Sequence, residues 1–259
     1  MKLGLCLVGG GAKGAFQGGV IKKLKEMEKY PEIITGTSIG AVNGYFLYKD
    51  AYYELERFWM EMDGEKYLGE LGKTIDNSKI INELMSLEGK NENMEKFFVN
   101  YVSIEDRKLA ERIVEINNLS EEDAINAVRY SSLLPFRSED KGENKDLIRD
   151  FDSQKLFQFF KEDVSNGVYD GYNLDGGILN NNLLSPFIDN RVDKLIIVGL
   201  KDNYVPPEYI FNHYDKEEIL IICPDIKVNP YDTVRFERDF CSDMYNRGYR
   251  LTGELMNFI

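Results

Sequence analysis

The most constraining feature of the chain is a pattern met twice before residue 50: a short apolar run, a glycine-rich turn, then a helix-like stretch. Lys2–Val8 reads as a buried strand and Gly9–Gly14 as a tight loop. Phe16, Val20, Leu24 and Met27 then recur at helical spacing, which predicts a helix over Ala15–Tyr30 stopped by Pro31. Glu32–Thr35 follows as a second strand and Ser38–Tyr48 as a second helix. Strand, loop, helix, strand, turn, helix is the repeating unit of a parallel sheet covered by helices, so the fold class is α/β.

Further along, Tyr52–Met62, Asn77–Leu87 and Ser120–Ser132 are expected to be helical, the last opened by a capping box from Ser120 to Asp123. Lys96–Ile104 and Arg112–Asn117 read as strands, and the charged stretch Arg137–Lys145 as a surface loop. Lys194–Leu200 and Glu218–Cys223 have the apolar, β-branched composition of central parallel strands, and a closing helix is expected from about Thr233. With 259 residues, 43% of them hydrophobic, and neither repeat nor linker, residues 1–259 are expected to form a single α/β domain.

The net charge of −13, from 45 acidic and 32 basic residues, excludes nucleic acid as a partner, since phosphate backbones demand a concentrated basic face. It also weakens standing attraction to an anionic bilayer, while leaving room for transient membrane contact through a local patch. The cysteines Cys6, Cys223 and Cys241 form no close pair, so neither a disulfide framework nor a metal site is expected. No run approaches the ~18 apolar residues of a membrane span. Lys2 precedes only a short apolar run that leads into a glycine loop, unlike a signal peptide, so a cytoplasmic location is expected.

Three segments carry candidate chemistry. Gly36-Thr37-Ser38-Ile39-Gly40 is a G-x-S-x-G between a strand and a helix. A serine on such a turn is held in a strained conformation, flanking glycines let other backbone approach closely, and the helix N-terminus faces developing negative charge. The competing reading makes Ser38 a helix N-cap on a glycine-rich turn. Gly9-Gly10-Gly11-Ala12-Lys13-Gly14 bares backbone N–H groups at a helix start, as an oxyanion hole requires. It also fits G-x-G-x-x-G, but the second strand ends in Gly36-Thr37-Ser38 and not in the acidic residue that a ribose needs. No Lys-Ser/Thr pair follows the glycines, which argues against a P-loop.

Asp175-Gly176-Gly177 alone is a good turn. It matters because the chain has one histidine, His213, so a nucleophilic Ser38 must give its proton to His213 or to a carboxylate. Ser38, Asp175 and His213 fall in the chain order of an α/β-hydrolase triad. Against the triad, Ser38 follows only the second strand, and His213 sits in the polar, aromatic stretch Tyr209–Asp215.

In this order, G-G-G-x-K-G, G-T-S-I-G and D-G-G resemble the patatin-like phospholipase family, and Ala127–Phe136 is similar to that family's A-S-x-x-x-P-F block. The resemblance runs from about Lys2 to Pro186. It implies a three-layer α/β/α sandwich with a mainly parallel central sheet, no metal or cofactor, and hydrolysis of lipid or acyl-ester substrates by a Ser–Asp dyad. By position, Ser38 would be the nucleophile, Asp175 the base, and the N–H groups around Gly10, Gly11 and Ala12 the oxyanion hole, with Gly9, Lys13, Gly14, Gly36, Gly40, Gly176 and Gly177 completing the motifs. Lys13 stands where many members carry arginine; a side chain that only neutralises and packs would tolerate that exchange. The product class is that of a phospholipase A, lysophospholipase or esterase. The alternatives are the Ser–Asp–His triad and a scaffold that binds an acyl or anionic ligand without turnover. Tyr45, Phe46, Tyr48, Phe58 and Trp59, close after Ser38, are candidates either for an acyl groove or for core.

Overall fold

The computed structural model describes residues 1–64, 72–137 and 153–256, and among them a seven-stranded sheet organises the fold. Its strands are β1 (Leu3–Leu7), β2 (Ile33–Thr37), β3 (Lys96–Glu105), β4 (Lys108–Glu115), β5 (Asn173–Asp175), β6 (Lys194–Val198) and β7 (Ile219–Ile222). Their spatial order is β4-β3-β2-β1-β6-β7, with β5 joined to β3. The run β3-β2-β1-β6-β7 is parallel, whereas β4 and β5 pair with β3 antiparallel. Every residue of β1 and β2 is buried, as befits strands covered on both faces. The chain moves from β1 outward to β2 and β3, then returns to place β6 on the other side of β1. Open parallel sheets leave a crevice beyond the carboxyl ends of their strands at such a reversal.

Around the sheet lie α1 (Ala15–Glu26), α2 (Ile39–Tyr48), α3 (Tyr52–Met60), α4 (Ser78–Met85), α5 (Glu121–Ser131), α6 (Ser153–Ser165), the short α7 (Pro186–Asp189) and the closing helix α8 (Arg238–Met256). Side chains alternate along β1. A methyl group on Gly40 of α2 would lie 3.0 Å from Leu7 Cβ, and one on Gly4 would lie 2.7 Å from the Phe187 ring, so α2 and α7 cover opposite faces. Helices α1 and α8 cross at glycines: a Cβ on Gly19 would fall 1.9 Å from the Tyr245 carbonyl oxygen, and one on Gly248 2.0 Å from that of Phe16.

A buried polar chain joins three helices to the end of β1. Trp59 Nε1 donates to Asn43 Oδ1 (2.9 Å); Asn43 Nδ2 donates to the Gly14 carbonyl (3.0 Å) and to Gln17 Oε1 (2.9 Å); Gln17 Nε2 donates to the Val8 carbonyl (2.8 Å). All three side chains are fully buried, so each amide group must find a partner inside the protein. The carbonyls they hold, Val8 and Gly14, flank the glycine loop, so the network fixes both of its ends.

Several expected boundaries move. The first helix ends at Glu26, well before Pro31, because Glu28 turns the chain through a left-handed conformation (φ 55°) and Lys29 N–H closes onto the Leu24 carbonyl. Strand β4 begins at Lys108, four residues earlier than expected, across a tight turn in which Asp106 and Arg107 both have positive φ. Glu218–Cys223 supplies β7, an edge strand with three of its four residues half-buried, so it is not central; Lys194–Val198 is. The closing helix starts at Arg238, since Pro230–Thr233 forms a separate 3-10 turn. Helix α6 and strand β5 have no counterpart in the expectations, and of the predicted loop Arg137–Lys145 all but Arg137 lies outside the described residues. Ser120 does cap α5, accepting from the Asp123 N–H at 3.1 Å. Cys6 and Cys241 are buried and Cys223 half-buried, and burial pushes the Cys6 thiol up to about 12.

Replacing Asn43 with Ala strands Trp59 Nε1, the Gly14 carbonyl and Gln17 Oε1 without solvent. The expected cost is about 2–4 kcal/mol. Urea denaturation of the two proteins would show it as a lower midpoint with an unchanged slope; an unchanged midpoint would mean that the network does not hold the loop.

Candidate functional site

Strand register brings Ser38 and Asp175 together. On one edge of β3, β2 pairs as far as Thr37 with Asn100, and β5 takes over at the next residue, Asp175 with Tyr101. The opposite edge of β3 is occupied by β4 across this stretch, so β2 and the antiparallel β5 meet end to end. Ser38 immediately follows Thr37, and its Oγ donates to Asp175 Oδ2 at 2.6 Å.

Ser38 has φ 57° and ψ −124°, a conformation that a non-glycine residue adopts at a cost of roughly 1–3 kcal/mol. Its carbonyl accepts from Ala41 N–H at 2.9 Å and so starts α2. Ser38 does hold the N-cap position of α2, but its hydroxyl makes no cap hydrogen bond and goes to Asp175 instead. The flanking glycines are where helix and sheet touch: a Cβ on Gly36 would fall 2.6 Å from the Gly40 carbonyl oxygen, and one on Gly40 2.1 Å from that of Leu7.

The block Ala127–Phe136 holds both partners by their backbones. Ser131 Oγ accepts the Ser38 N–H at 2.9 Å, and the Leu133 carbonyl accepts the Asp175 N–H at 3.0 Å. Asn100, fully buried, accepts from Thr37 Oγ1 (2.7 Å) and donates to Glu111 Oε1 and the Asn180 carbonyl. Gly176 lies against it, since a Cβ there would be 2.5 Å from Asn100 Oδ1. Asn181 clamps the glycine loop from the other side: its Oδ1 accepts the Gly9 N–H (3.1 Å) and its Nδ2 donates to the Gly9 carbonyl (3.2 Å). Ser131, Asn100 and Asn181 were not singled out as site residues. The run Asn180-Asn181-Asn182 after the D-G-G turn, and Ser131 inside the recognised block, were the signals available.

Asp175 is 4% exposed, and burial raises its carboxyl to about 6, against the opposing pull of the Ser38 hydroxyl and of Gly177 N–H, which donates to Oδ1 at 2.8 Å. His213 is exposed; its carbonyl accepts from Arg191, and it does not line the cavity at Ser38. The triad arrangement is therefore absent, and Asp175 is the group in contact with the serine.

That cavity has a volume of about 440 Å³. Gly9, Gly10 and Gly11 line it, with Ala12 fully buried behind them, and no side chain among the described residues accepts from the N–H groups of Gly10 or Gly11. Gly11 (φ 58°) has no room for a side chain, because a Cβ would lie 1.9 Å from the Thr233 carbonyl oxygen. Lys13, only 7% exposed, also faces the cavity, and Gly14 packs on Ile39. One wall is apolar: Leu134, Pro135, Leu156, Phe157, Phe160 and Ile178. Tyr45, Phe46, Phe58 and Trp59 instead fill the core beside α2, and Tyr48 packs partly buried against it, which settles them as packing residues.

The sequence profile described as patatin-like phospholipase matches residues 5–188. The chain belongs to the patatin-like phospholipase family. Over 49 residues, 19% of its length, it is 55% identical to lysophospholipase nte1 of Aspergillus terreus, of which the matched stretch is 3%. Its fold is that of VipD from Legionella pneumophila, at a TM-score of 0.51 and 12% identity, covering 99% of this chain and 67% of VipD. ExoU in its complex with SpcU from Pseudomonas aeruginosa aligns at a TM-score of 0.47 and 11% identity, covering 99% of this chain and 51% of that one. No helix among the described residues is long and apolar enough to cross a membrane.

Burial of Asp175 links the site to stability. Its folded value of about 6 lies above the ordinary 3.8, so the native state holds the proton more tightly than the unfolded chain. The stabilisation is complete below the ordinary value and is lost as pH rises through about 6. Asp175→Asn removes this titration, so its melting temperature should gain on wild type by several degrees between pH 4.5 and pH 8. A gap that stays constant with pH would show that the carboxyl is not held protonated by burial.

Proposed function

We propose that this family member hydrolyses lipid acyl esters, as a phospholipase A, lysophospholipase or esterase, with Ser38 as nucleophile, Asp175 as its base, and the N–H groups of Gly10, Gly11 and Ala12 as the oxyanion hole. The observation that carries this reading is the 2.6 Å contact from Ser38 Oγ to Asp175 Oδ2 at a strained turn beside the glycine loop.

In the first step Ser38 Oγ attacks the ester carbonyl carbon as its proton passes to Asp175 Oδ2. The carbonyl oxygen takes up the negative charge against the glycine-loop N–H groups, and collapse expels the alcohol, which leaves with the proton returned from Asp175. In the second step Asp175 deprotonates a water, the hydroxide attacks the acyl-serine, and the fatty acid departs as Ser38 regains its proton. A carboxyl poised at about 6 suits this cycle: it is mostly ionised at neutral pH, and it becomes neutral, the form its buried surroundings favour, when the proton arrives. Gly9 N–H is already committed to Asn181, which is why the donors are assigned to the residues after it. Each such donor is worth about 3–4 kcal/mol in transition-state stabilisation. The acyl chain lies along the Leu134, Leu156, Phe157 and Phe160 wall.

Hydrolysis of p-nitrophenyl butyrate tests the assignment. Wild-type kcat/KM should rise tenfold per pH unit up to about pH 6, where Asp175 ionises, and level off above it. Ser38→Ala and Asp175→Asn should lose roughly a thousandfold or more, and His213→Ala should keep wild-type rates. Activity that persists unchanged at pH 4, or that disappears with His213, contradicts the Ser–Asp assignment.

A further inference from the structure

Three consecutive asparagines follow the D-G-G turn, half-buried and outside any helix or strand, and each is tied to a different part of the fold. Asn180 Nδ2 donates to Glu111 Oε1 of β4 at 2.9 Å, and the Asn180 carbonyl accepts from Asn100 Nδ2 of β3 at 2.8 Å. Asn182 Oδ1 accepts the Tyr204 hydroxyl, which reaches it from the loop after β6. Between them, Asn181 closes on Gly9 with both ends of its amide. The packing there leaves no slack: a Cβ on Gly9 would lie 2.3 Å from Asn181 Oδ1 and 3.0 Å from Ser38 Cβ. One on Gly177, whose N–H holds Asp175, would lie 2.9 Å from the same Oδ1. A single amide therefore touches the turn that carries the nucleophile's partner, the nucleophile's neighbour and the start of the glycine loop.

The partners of the loop's peptide groups can be assigned one by one. In the Val8–Gly9 peptide, the carbonyl accepts from Gln17 and the N–H donates to Asn181, so both ends are fixed. In the Gly9–Gly10 peptide, the carbonyl accepts from Asn181 Nδ2. A trans peptide is planar, with its C=O and N–H directed opposite ways. The bond to the Gly9 carbonyl therefore aims the Gly10 N–H away from Asn181, and Gly10 lines the cavity at Ser38. Between two glycines, no side chain hinders rotation of that peptide plane, so its direction has to be set by an outside partner. We infer that Asn181 is a positioning residue: by holding the Gly9 carbonyl it points the Gly10 N–H at the oxyanion formed on the ester attacked by Ser38. The inference rests on the assignment of Ser38 as nucleophile and of the glycine loop as oxyanion hole. It adds the group that orients the hole, and it places the effect of that group in the transition state and not in substrate binding.

Two variants separate orientation from folding. Asn181→Asp is nearly isosteric and keeps an acceptor for the Gly9 N–H, but sets an oxygen against the Gly9 carbonyl; Asn181→Leu removes both bonds. Each is compared with wild type for p-nitrophenyl butyrate hydrolysis and for inhibition by an alkyl trifluoromethyl ketone. Addition of Ser38 Oγ to that ketone gives a hemiketal whose charged oxygen mimics the intermediate. The expected result is a kcat lowered roughly a hundredfold in both variants, as for loss of one oxyanion donor. KM should stay within about threefold of wild type, and ketone inhibition should weaken by the same factor as kcat/KM. A folded Asn181→Asp protein with kcat within about threefold of wild type would overturn the inference, as would a loss carried by KM with ketone affinity kept. The Asp variant decides the matter if the Leu variant does not fold. Ser38→Ala measured alongside keeps the two claims apart. Activity that needs Ser38 but survives in both Asn181 variants removes only the positioning role, and activity that survives without Ser38 removes the catalytic assignment beneath it.

Discussion

The pairing of β5 with β3 is the contact on which the site depends. Five parallel strands and their helices make a sound α/β core without it, and they deliver Ser38 to the carboxyl end of β2. What they do not deliver is the carboxyl that meets it. The three residues of β5 do so by entering antiparallel on the same edge of β3, one position beyond the last β2 pair, so that Asp175 arrives head-on at the serine. A shift of one residue in that register would turn the Asp175 side chain to the other face of the sheet. The register is secured by groups that reach both strands: the end of α5 binds Ser38 through Ser131 and Asp175 through the Leu133 carbonyl, and Asn100 touches Thr37 and supports the Gly176 turn.

The same site concentrates unfavourable terms that the core offsets. Ser38 sits at positive φ, Asp175 is a nearly inaccessible carboxyl, and Lys13 is a buried ammonium. Two of the three have fixed neighbours: Ser38 has two backbone contacts, and Asp175 has the serine hydroxyl and Gly177 N–H, while the glycine loop beside them is held by Asn181 and the Trp59-Asn43-Gln17 chain. Rigid backing of this kind is what allows backbone N–H groups to face a developing charge without rearranging first.

Much of this was legible in the sequence, for reasons that differ by region. Strands β1 and β6 are largely apolar runs, and G-x-S-x-G and the triple glycine mark places where Cβ atoms do not fit, so local composition carries the signal. The family resemblance added Asp175, whose D-G-G is by itself only a turn. Strand β5 escaped because three residues with a polar start carry no periodicity, and its existence depends on a partner some seventy positions away. Ser131 and Asn181 escaped because a buried serine or asparagine reads as an ordinary polar residue until its backbone partner is known. The aromatics after Ser38 were equally ambiguous. Helix α2 is buried on nearly all sides, so proximity in sequence to Ser38 says nothing about which way each ring faces. Of the cavity's apolar wall, Leu156, Phe157 and Phe160 come instead from α6, a segment outside every recognised motif.

The central claim is that Ser38, driven by Asp175 alone, is the acyl-accepting nucleophile. Its most direct test is covalent labelling by an alkyl fluorophosphonate, followed by intact mass and peptide mapping across pH. A single adduct on Ser38 is expected, forming at a rate that rises to a plateau above about pH 6, abolished in Asp175→Asn and retained in His213→Ala. Labelling at another residue, or Ser38 labelling that needs His213 and survives without Asp175, would contradict it.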